Sequence, residues 1–389
     1  MTDRRPALSP RFARLGTTIF AEMSALALAT GSVNLGQGFP DEDGPEAMRE
    51  AAVDAIRSGF NQYPPGLGTP ELRTAIAAHQ RRFWGIELDP DSDVLVTTGA
   101  TEGVAASLIA LCDPGDEIVA FEPTFDSYQA SAAMAGATLR PVTLEAPDFA
   151  VDLDRLTAVC TDRTRVLLLN TPHNPTGRVF TDEEMAGIAR VCVERDLLVV
   201  SDEVYEHLVF EGVHRPIATY PGMAERTLTV SSAGKTFSLT GWKIGWATGP
   251  AELVAAVRTT KQFLTYVSGG PFQPAVALGL GLDDAFYAGL APALQTRRDL
   301  LCEGLTAAGF GVHRPQGTYF VTADIRPLTD DDGLTFCRSL PERCGVVAVP
   351  TSVFYEDPAS GRHLIRFAFC KRPEVLEEAA SRLSRLRSP

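Results

Sequence analysis

From about residue 90 the chain alternates short, nearly continuous apolar runs with longer amphipathic segments, and this alternation narrows the folds open to it more than any other feature. "DVLVTTG" (93–99), "DEIVAFEP" (116–123), "RVLLLN" (165–170), "DLLVVSDE" (196–203), "RTLTVSS" (226–232) and "KIGWATG" (243–249) read as strands. Between them, "ATEGVAASLIALC" and "SYQASAAMAG" read as helices, the second closed by Gly136. A further helix opens at "TDEE", where Thr181 and Glu184 have the spacing of a capping box. Met185, Ile188, Ala189 and Cys192 then share one helical face. Strands that are apolar on both faces and separated by helices predict an α/β domain, a mostly parallel sheet covered on both sides.

Such sheets take ligands at the carboxyl ends of their strands. Gly99, Glu122, Asn170, Asp202 and Ser232 all stand just beyond an apolar run, so one edge of the sheet is expected to gather the functional groups. From about residue 285 the pattern changes to a long helix, strands near "GTYFVTAD", "GVVAVP" and "HLIRFAF", and a last helix at "PEVLEEAASRLSRLR". That reads as a smaller α+β domain. The expected division is residues 1–40 as a segment packing with the small domain, 41–284 as the large domain and 285–389 as the small one.

Composition excludes several functions. With 35 Lys and Arg against 49 Asp and Glu, the net charge is -14, which argues against nucleic acid or an anionic membrane as partner. The seven cysteines are scattered and form no C-x-x-C pair, so neither a disulfide framework nor a zinc site is expected, and a reducing cytoplasm fits. No H-E-x-x-H occurs among the six histidines, and no metal is expected. The opening "MTDRRPALSP" has no apolar region behind its basic residues, so no signal peptide is read there.

Against this acidic background, "SSAGKTFSLTGWKIGW" (231–246) gathers Lys235 and Lys243 with no acid nearby. Either they are solvated loop lysines, or Lys235 sits in a dry pocket that keeps it neutral and able to condense with an aldehyde. Asp202, ending a strand in "VVSDEVYEH", is either a helix N-cap or a buried carboxylate facing a cationic ring nitrogen. Asn174 lies in the turn-rich "NTPHNPTG", and Tyr205 follows Asp202 by three residues. Arg366 in "LIRFAF" is either an exposed alternate position or a buried anion clamp. "TGATEG" (98–103) opens a helix directly after a strand, where the N–H groups of Ala100 and Thr101 can meet an anion.

Together these residues resemble the fold type I, pyridoxal-5'-phosphate-dependent aminotransferases of classes I and II. The resemblance runs from "VNLGQGFPD" to "LIRFAFCKR" and rests on "NPTG", "SDEVYEHL" and S-x-x-K-x-x-x-x-x-G-W-K-x-G-W in family order and spacing. "NLGQGFPDEDGPEAM" and "NQYPPGLGTPELR" look closest to the branch of kynurenine/glutamine, methionine and N-succinyldiaminopimelate aminotransferases. The resemblance implies a three-layer, aspartate aminotransferase-like fold and transfer of an amino group from an L-amino acid to a 2-oxo acid by a ping-pong mechanism. It implies that Lys235 carries the cofactor covalently and then moves the substrate's Cα proton. Asp202 would pair with the pyridine nitrogen, Asn174 and Tyr205 would bond the phenolate oxygen, and Phe125 would stack on the ring. Ala100, Thr101, Ser232 and Lys243 would hold the phosphate, with Tyr63 reaching it from the other subunit of a homodimer; a local stack beside the Pro-Pro turn is the plainer alternative for Tyr63. Gly38 and Arg366 would bind the substrate carboxylate, Asn174 would also contact the substrate, and Phe20 would cover it.

The chain departs from parts of the family. Thr101 stands where several relatives carry an aromatic residue, and Phe20 where kynurenine aminotransferases carry a tryptophan. A second arginine for a distal carboxylate has only Arg326 and Arg362 as candidates. A carbon–sulfur β-lyase is the alternative enzyme. A regulator built on the fold is disfavoured, because the segment before the sheet domain lacks a helix-turn-helix pattern.

Overall fold

A computed structural model describes residues 7–13 and 18–387; the first six residues of the "MTDRRPALSP" segment lie outside it. In chain order the first elements are α1 (Ile19–Thr30), β1 (Val33–Asn34), α2 (Glu46–Arg57) and α3 (Pro70–Trp84). The large sheet then begins with β2 (Val94–Thr98), α4 (Gly99–Leu111), β3 (Glu117–Glu122), α5 (Asp126–Ala135), β4 (Thr138–Thr143), α6 (Leu153–Val159) and β5 (Thr164–Asn170). It continues with α7 (Asp182–Glu194), β6 (Leu198–Asp202), β7 (Thr227–Ser232), α8 (Ala233–Thr236) and β8 (Ile244–Thr248). Two helices, α9 (Ala251–Lys261) and α10 (Phe272–Leu280), lead to the long α11 (Asp284–Ala308). After it come β9 (Gly311–His313), β10 (Phe320–Asp324), α12 (Gly333–Cys344), β11 (Val346–Val347), β12 (Val349–Pro350), β13 (Leu364–Ala368) and α13 (Pro373–Leu383).

The seven-stranded sheet has the order β2-β8-β7-β6-β5-β3-β4. The neighbours from β7 to β4 run parallel, whereas β8 is antiparallel to both β7 and β2. The reason lies in the β7–β8 connection. A parallel return needs a crossover of about a dozen residues or more, usually a helix. Here it holds only the four-residue α8 and a 3-10 turn at Thr240–Trp242. The edge strand β4 escapes the sequence pattern because it carries Pro141 and partly exposed alternate positions, both tolerated only at an edge.

Both faces of the sheet are buried, as the continuous apolar runs require. Along β5, Val166 and Leu168 face the layer of α4 and α5, while Leu167 and Leu169 face that of α6 and α7. The α7 capping box is formed: the Thr181 hydroxyl accepts from the Glu184 N–H, and the Glu184 carboxylate accepts from the Thr181 N–H. A second, antiparallel sheet, β12-β13-β10-β9, is packed by α11, α12 and α13. The N-terminal elements belong to it: β1 pairs with β11 (Val33 to Val346), and α1 packs against α12.

Candidate active site

The strand ends of the large sheet meet at one edge, as parallel topology demands. Asn170 sits beside Asp202 in the ladder, and Ser232 beside Gly245. A cavity opens there, and it is lined by Phe20, Gly38, Ala100, Thr101, Phe125, Asn174, Asp202, Tyr205, Ser232, Lys235, Lys243 and Arg366. The structure thus brings together all the candidate residues except Tyr63. That tyrosine lies outside the cavity, 81% exposed, with its ring edge-on to Tyr266 at 5.7 Å.

Lys235 projects from α8, its Nζ 5.5 Å from the Tyr319 ring centroid and 5.9 Å from that of Tyr205. Burial pushes its pKa down, against the opposing pull of Asp202. Lys243 holds a left-handed backbone (φ 53°), a conformation that costs a non-glycine residue about 1 kcal/mol or more and gathers at functional sites. Its ammonium approaches Gly99: a Cβ added to that glycine would lie 3.3 Å from Nζ. Neither lysine is ion-paired with an acid among the described residues. Gly99 (φ 70°) begins α4, whose N-cap Thr98 supplies no side-chain cap, so the first-turn N–H groups beside Lys243 are open to an anion. The strand beneath lies close enough that a Cβ on Gly245 would meet the Ala100 nitrogen at 2.8 Å.

Asp202 is buried at the end of β6. Its Oδ2 accepts from the Tyr128 hydroxyl at 2.8 Å and its Oδ1 from the Val204 N–H at 3.3 Å. Its carbonyl accepts from Asn170 Nδ2 at 2.9 Å, and Asn170 Oδ1 accepts from the Asn174 N–H at 2.8 Å. Burial raises the Asp202 carboxyl to about 6, opposed by the Tyr128 and Val204 hydrogen bonds and the charge of Lys235. Sequence reasoning missed Tyr128, whose position one helical turn after Phe125 was the available signal; the rings meet edge-on at 5.8 Å.

Arg366 lies mid-strand in β13 and is 2% exposed, because both faces of that strand are covered. Its Nη1 donates to Asn174 Oδ1 (3.1 Å) and its Nη2 to the Gly36 carbonyl (3.2 Å), while its buried Nε has no partner. The guanidinium is 4.0 Å from the Phe320 centroid and 5.2 Å from those of Phe20 and Phe354. Burial lowers its pKa to about 10, so it stays charged at neutral pH without an ion pair among the described residues. The loop carrying Gly38 is sewn down by three bonds: Tyr319 OH to the Gly38 carbonyl (2.7 Å), Lys371 Nζ to the Phe39 carbonyl (2.6 Å) and the Arg372 N–H to Asp41 (2.8 Å). A Cβ on Gly38 would meet Phe320 at 2.3 Å. Arg326 and Arg362 are elsewhere: they line a separate cleft with His363 and Glu145, and Arg326 is bonded to Asp324.

These groups fit pyridoxal 5'-phosphate. A lysine held toward neutrality suits an aldehyde, and a buried carboxylate suits a ring nitrogen. An uncapped helix start with Ser232 and an unpaired Lys243 suits a phosphate. Arg366, with an unmatched donor, suits the carboxylate of an amino acid.

The family model described as aminotransferase class I and II matches residues 30–383. A probable N-succinyldiaminopimelate aminotransferase of Mycobacterium tuberculosis is 55% identical over 380 residues, covering 95% of this chain and 96% of that one. The Escherichia coli methionine aminotransferase is 38% identical over 387 residues, covering 99% and 100%. The solved structure of N-succinyldiaminopimelate aminotransferase from Mycobacterium tuberculosis superposes with a TM-score of 0.96 at 55% identity, covering 98% of this chain and 100% of that one. The fold, with its antiparallel β8, therefore belongs to a known plan, and the chain is a member of the class I and II aminotransferases, fold type I enzymes that work with pyridoxal 5'-phosphate.

Proposed function

We propose that this aminotransferase acts on N-succinyldiaminopimelate, passing its amino group to a 2-oxo acid. The observation that carries this reading is the 55% identity over nearly the whole of both chains to the Mycobacterium tuberculosis enzyme of that name. A methionine-type specificity is the second reading. It is favoured by the aromatic wall of Phe20, Phe39 and Phe320 and by the position of Arg326 and Arg362 outside the cavity. No observation favours the β-lyase alternative.

When bound, the cofactor supplies an aldehyde for the amino group and an electron sink for the pair left on Cα. The residues supply the rest. Lys235 Nζ, kept toward neutral by burial, would hold the cofactor through its aldehyde carbon and would serve as the base for the substrate's Cα proton. Asp202 holds a positive charge on the ring nitrogen, Asn174 and Tyr205 hold the phenolate oxygen, and Phe125 covers the ring face. Ser232, Lys243 and the N–H groups of Ala100 and Thr101 bind the phosphate. Arg366 and Asn174, with the Gly38 loop, orient the carboxylate so that the Cα–H bond faces Lys235, and Phe20 shields the site from water.

We also propose a cytoplasmic homodimer. Tyr63 and Tyr266 meet edge-on and are both exposed, and Phe60, Phe263 and Leu264, close to them in sequence, are exposed as well, which supports a covered face there. The buried, unbridged cysteines support a reducing compartment, and no helix among the described residues is long and apolar enough to cross a membrane. The division at 1–40, 41–284 and 285–389 is supported by the β1–β11 pairing and the separate sheet of the C-terminal part.

The test is a half-reaction panel. Holoenzyme is mixed with N-succinyldiaminopimelate, methionine, kynurenine or glutamine, and loss of the lysine-bound cofactor's absorption is timed. N-succinyldiaminopimelate is expected to react fastest; methionine winning by tenfold would replace the reading.

A further inference from the structure

Asp202 does not stand alone at the end of β6. Its Oδ2 has one hydrogen-bond donor among the described residues, the hydroxyl of Tyr128, at 2.8 Å. The phenol is itself 3% exposed, lines the cavity and is fixed by α5, whose N-cap is Phe125. A buried tyrosine needs some acceptor, and a structural role would be met equally by a backbone carbonyl. This one has instead been given the carboxylate whose charge the reaction needs.

We propose that Tyr128 is a positioning residue for amino transfer: its hydroxyl holds Asp202 ionised and turned toward the ring nitrogen of the cofactor. The inference rests on the reading of Asp202 given above. A hydrogen bond to a carboxylate is stronger than one to a neutral carboxyl, so the donor favours the anion. The bond cannot reverse, because burial and the Asp202 charge push the Tyr128 phenol well above its ordinary range and keep it protonated. The charged groups acting on Asp202 from other elements are Lys235 on α8, which favours the anion, and Glu203 next in sequence, which disfavours it. Tyr205, on the following turn, is also kept protonated by burial. Burial outweighs these influences and drives Asp202 toward neutrality, so the anion depends on its donors. Of the two donors to the Asp202 carboxylate, the backbone N–H of Val204 is the longer at 3.3 Å, and Tyr128 is the one from a side chain.

The experiment reads the ring nitrogen itself. Holoenzyme is loaded with pyridoxal phosphate labelled with 15N, and the nitrogen's protonation is followed by NMR across pH in wild type, Tyr128→Phe and Asp202→Asn. Tyr128→Phe keeps the buried ring and its edge-on contact, so folded holoenzyme is expected. Its ring nitrogen should lose its proton about one pH unit lower than in wild type, a tenfold change in the equilibrium. With it, kcat should fall about tenfold while KM stays within twofold. An unmoved midpoint in Tyr128→Phe overturns the proposal, whatever happens to turnover. If Asp202→Asn also leaves the nitrogen unmoved, the assignment of Asp202 fails as well; if only Tyr128→Phe is silent, Asp202 keeps its role and Tyr128 is structural.

Discussion

Two buried polar clusters hang from the same stretch, Ser201–His207, and they differ in how their charges are closed. Asp202 and Tyr205 turn to the cavity, where the exposed Lys243 and the buried Arg366 have no acid partner among the described residues, so that Arg366 is the buried charge left open. Glu203, Glu206 and His207 turn away. There every carboxylate oxygen is met: Glu203 by Ser201 (2.7 Å) and His214 (3.0 Å), Glu206 by Ser231 (2.6 Å) and Trp84 (2.7 Å). His207 faces His79 at 2.8 Å between their Nε2 atoms. Leaving a buried charge open costs stability, so a fold keeps such a charge where a ligand closes it. The carboxylates of the second cluster need nothing from outside; among its described polar atoms, His79 Nδ1 and His214 Nδ1 are the buried ones without a partner. His79, Glu206 and His207 have the proximity of a metal site, yet the oxygens of Glu206 are already taken.

The largest loss is expected at Lys235. Lys235→Ala should lose turnover by roughly four orders of magnitude or more, while cofactor still binds through the phosphate groups. Borohydride reduction of wild type followed by peptide mapping should place the label on Lys235; label on Lys243 would exchange the two lysines' roles. Next is Arg366→Lys, which keeps charge but loses the planar fork. Its kcat/KM should fall about a hundredfold for every amino acid, and a loss confined to one side-chain class would make Arg366 a selector instead.

A smaller effect tests whether the open cluster is completed by a second chain. Tyr63→Ala and Lys235→Ala, each crippled alone, should regain roughly a quarter of wild-type activity when co-expressed, since half the dimers are mixed and each has one intact site. Verified mixed dimers no more active than the parents' average would return Tyr63 to its own chain.

The smallest effect belongs to the closed cluster, through stability alone. Burial holds His79 at about 3 and His207 at about 2, below the usual 6.5, so the unfolded chain binds protons that the folded one refuses. Stability from the pair is complete above about pH 6.5 and drains as pH falls. Glu206, raised to about 7 by burial, acts oppositely and returns some stability as the pH drops from 7 toward 4.5. A His79→Gln/His207→Gln variant should melt several degrees below wild type at pH 7.5. That gap should narrow at pH 5, and a gap constant with pH would remove the histidines from the acid response.

The open cluster was the more legible in sequence, for a physical reason. Lys235, Asp202, Asn174 and Ser232 stand in local segments where a turn former or a strand end marks a backbone built to present a side chain. Arg366 was legible only through family resemblance, because parity cannot tell in from out on a strand buried on both faces. Tyr128 reads as one more apolar position on an amphipathic helix, and its bond to Asp202 joins residues 74 apart in the chain. The closed cluster is harder still: Trp84, Glu206, His214 and Ser231 carry no shared spacing, and only the fold brings them together. The direction of β8 was hidden because an apolar run has no arrow.

The stitches on the Gly38 loop bear on how the protein is made. Gly38, Phe39 and Asp41 are held by Tyr319, Lys371 and Arg372, and the guanidinium of Arg366, the proposed clamp, comes from β13, which follows every other strand. A ribosome emits the loop early and its anchors late. The large sheet, with Lys235 and Asp202, has all its strands by Thr248 and can assemble on the emerging chain. The Arg366 end of the cavity cannot. A truncation beyond Ala368 that spares every residue of the proposed site should therefore leave a protein able to take up its cofactor and poor at gripping an amino acid.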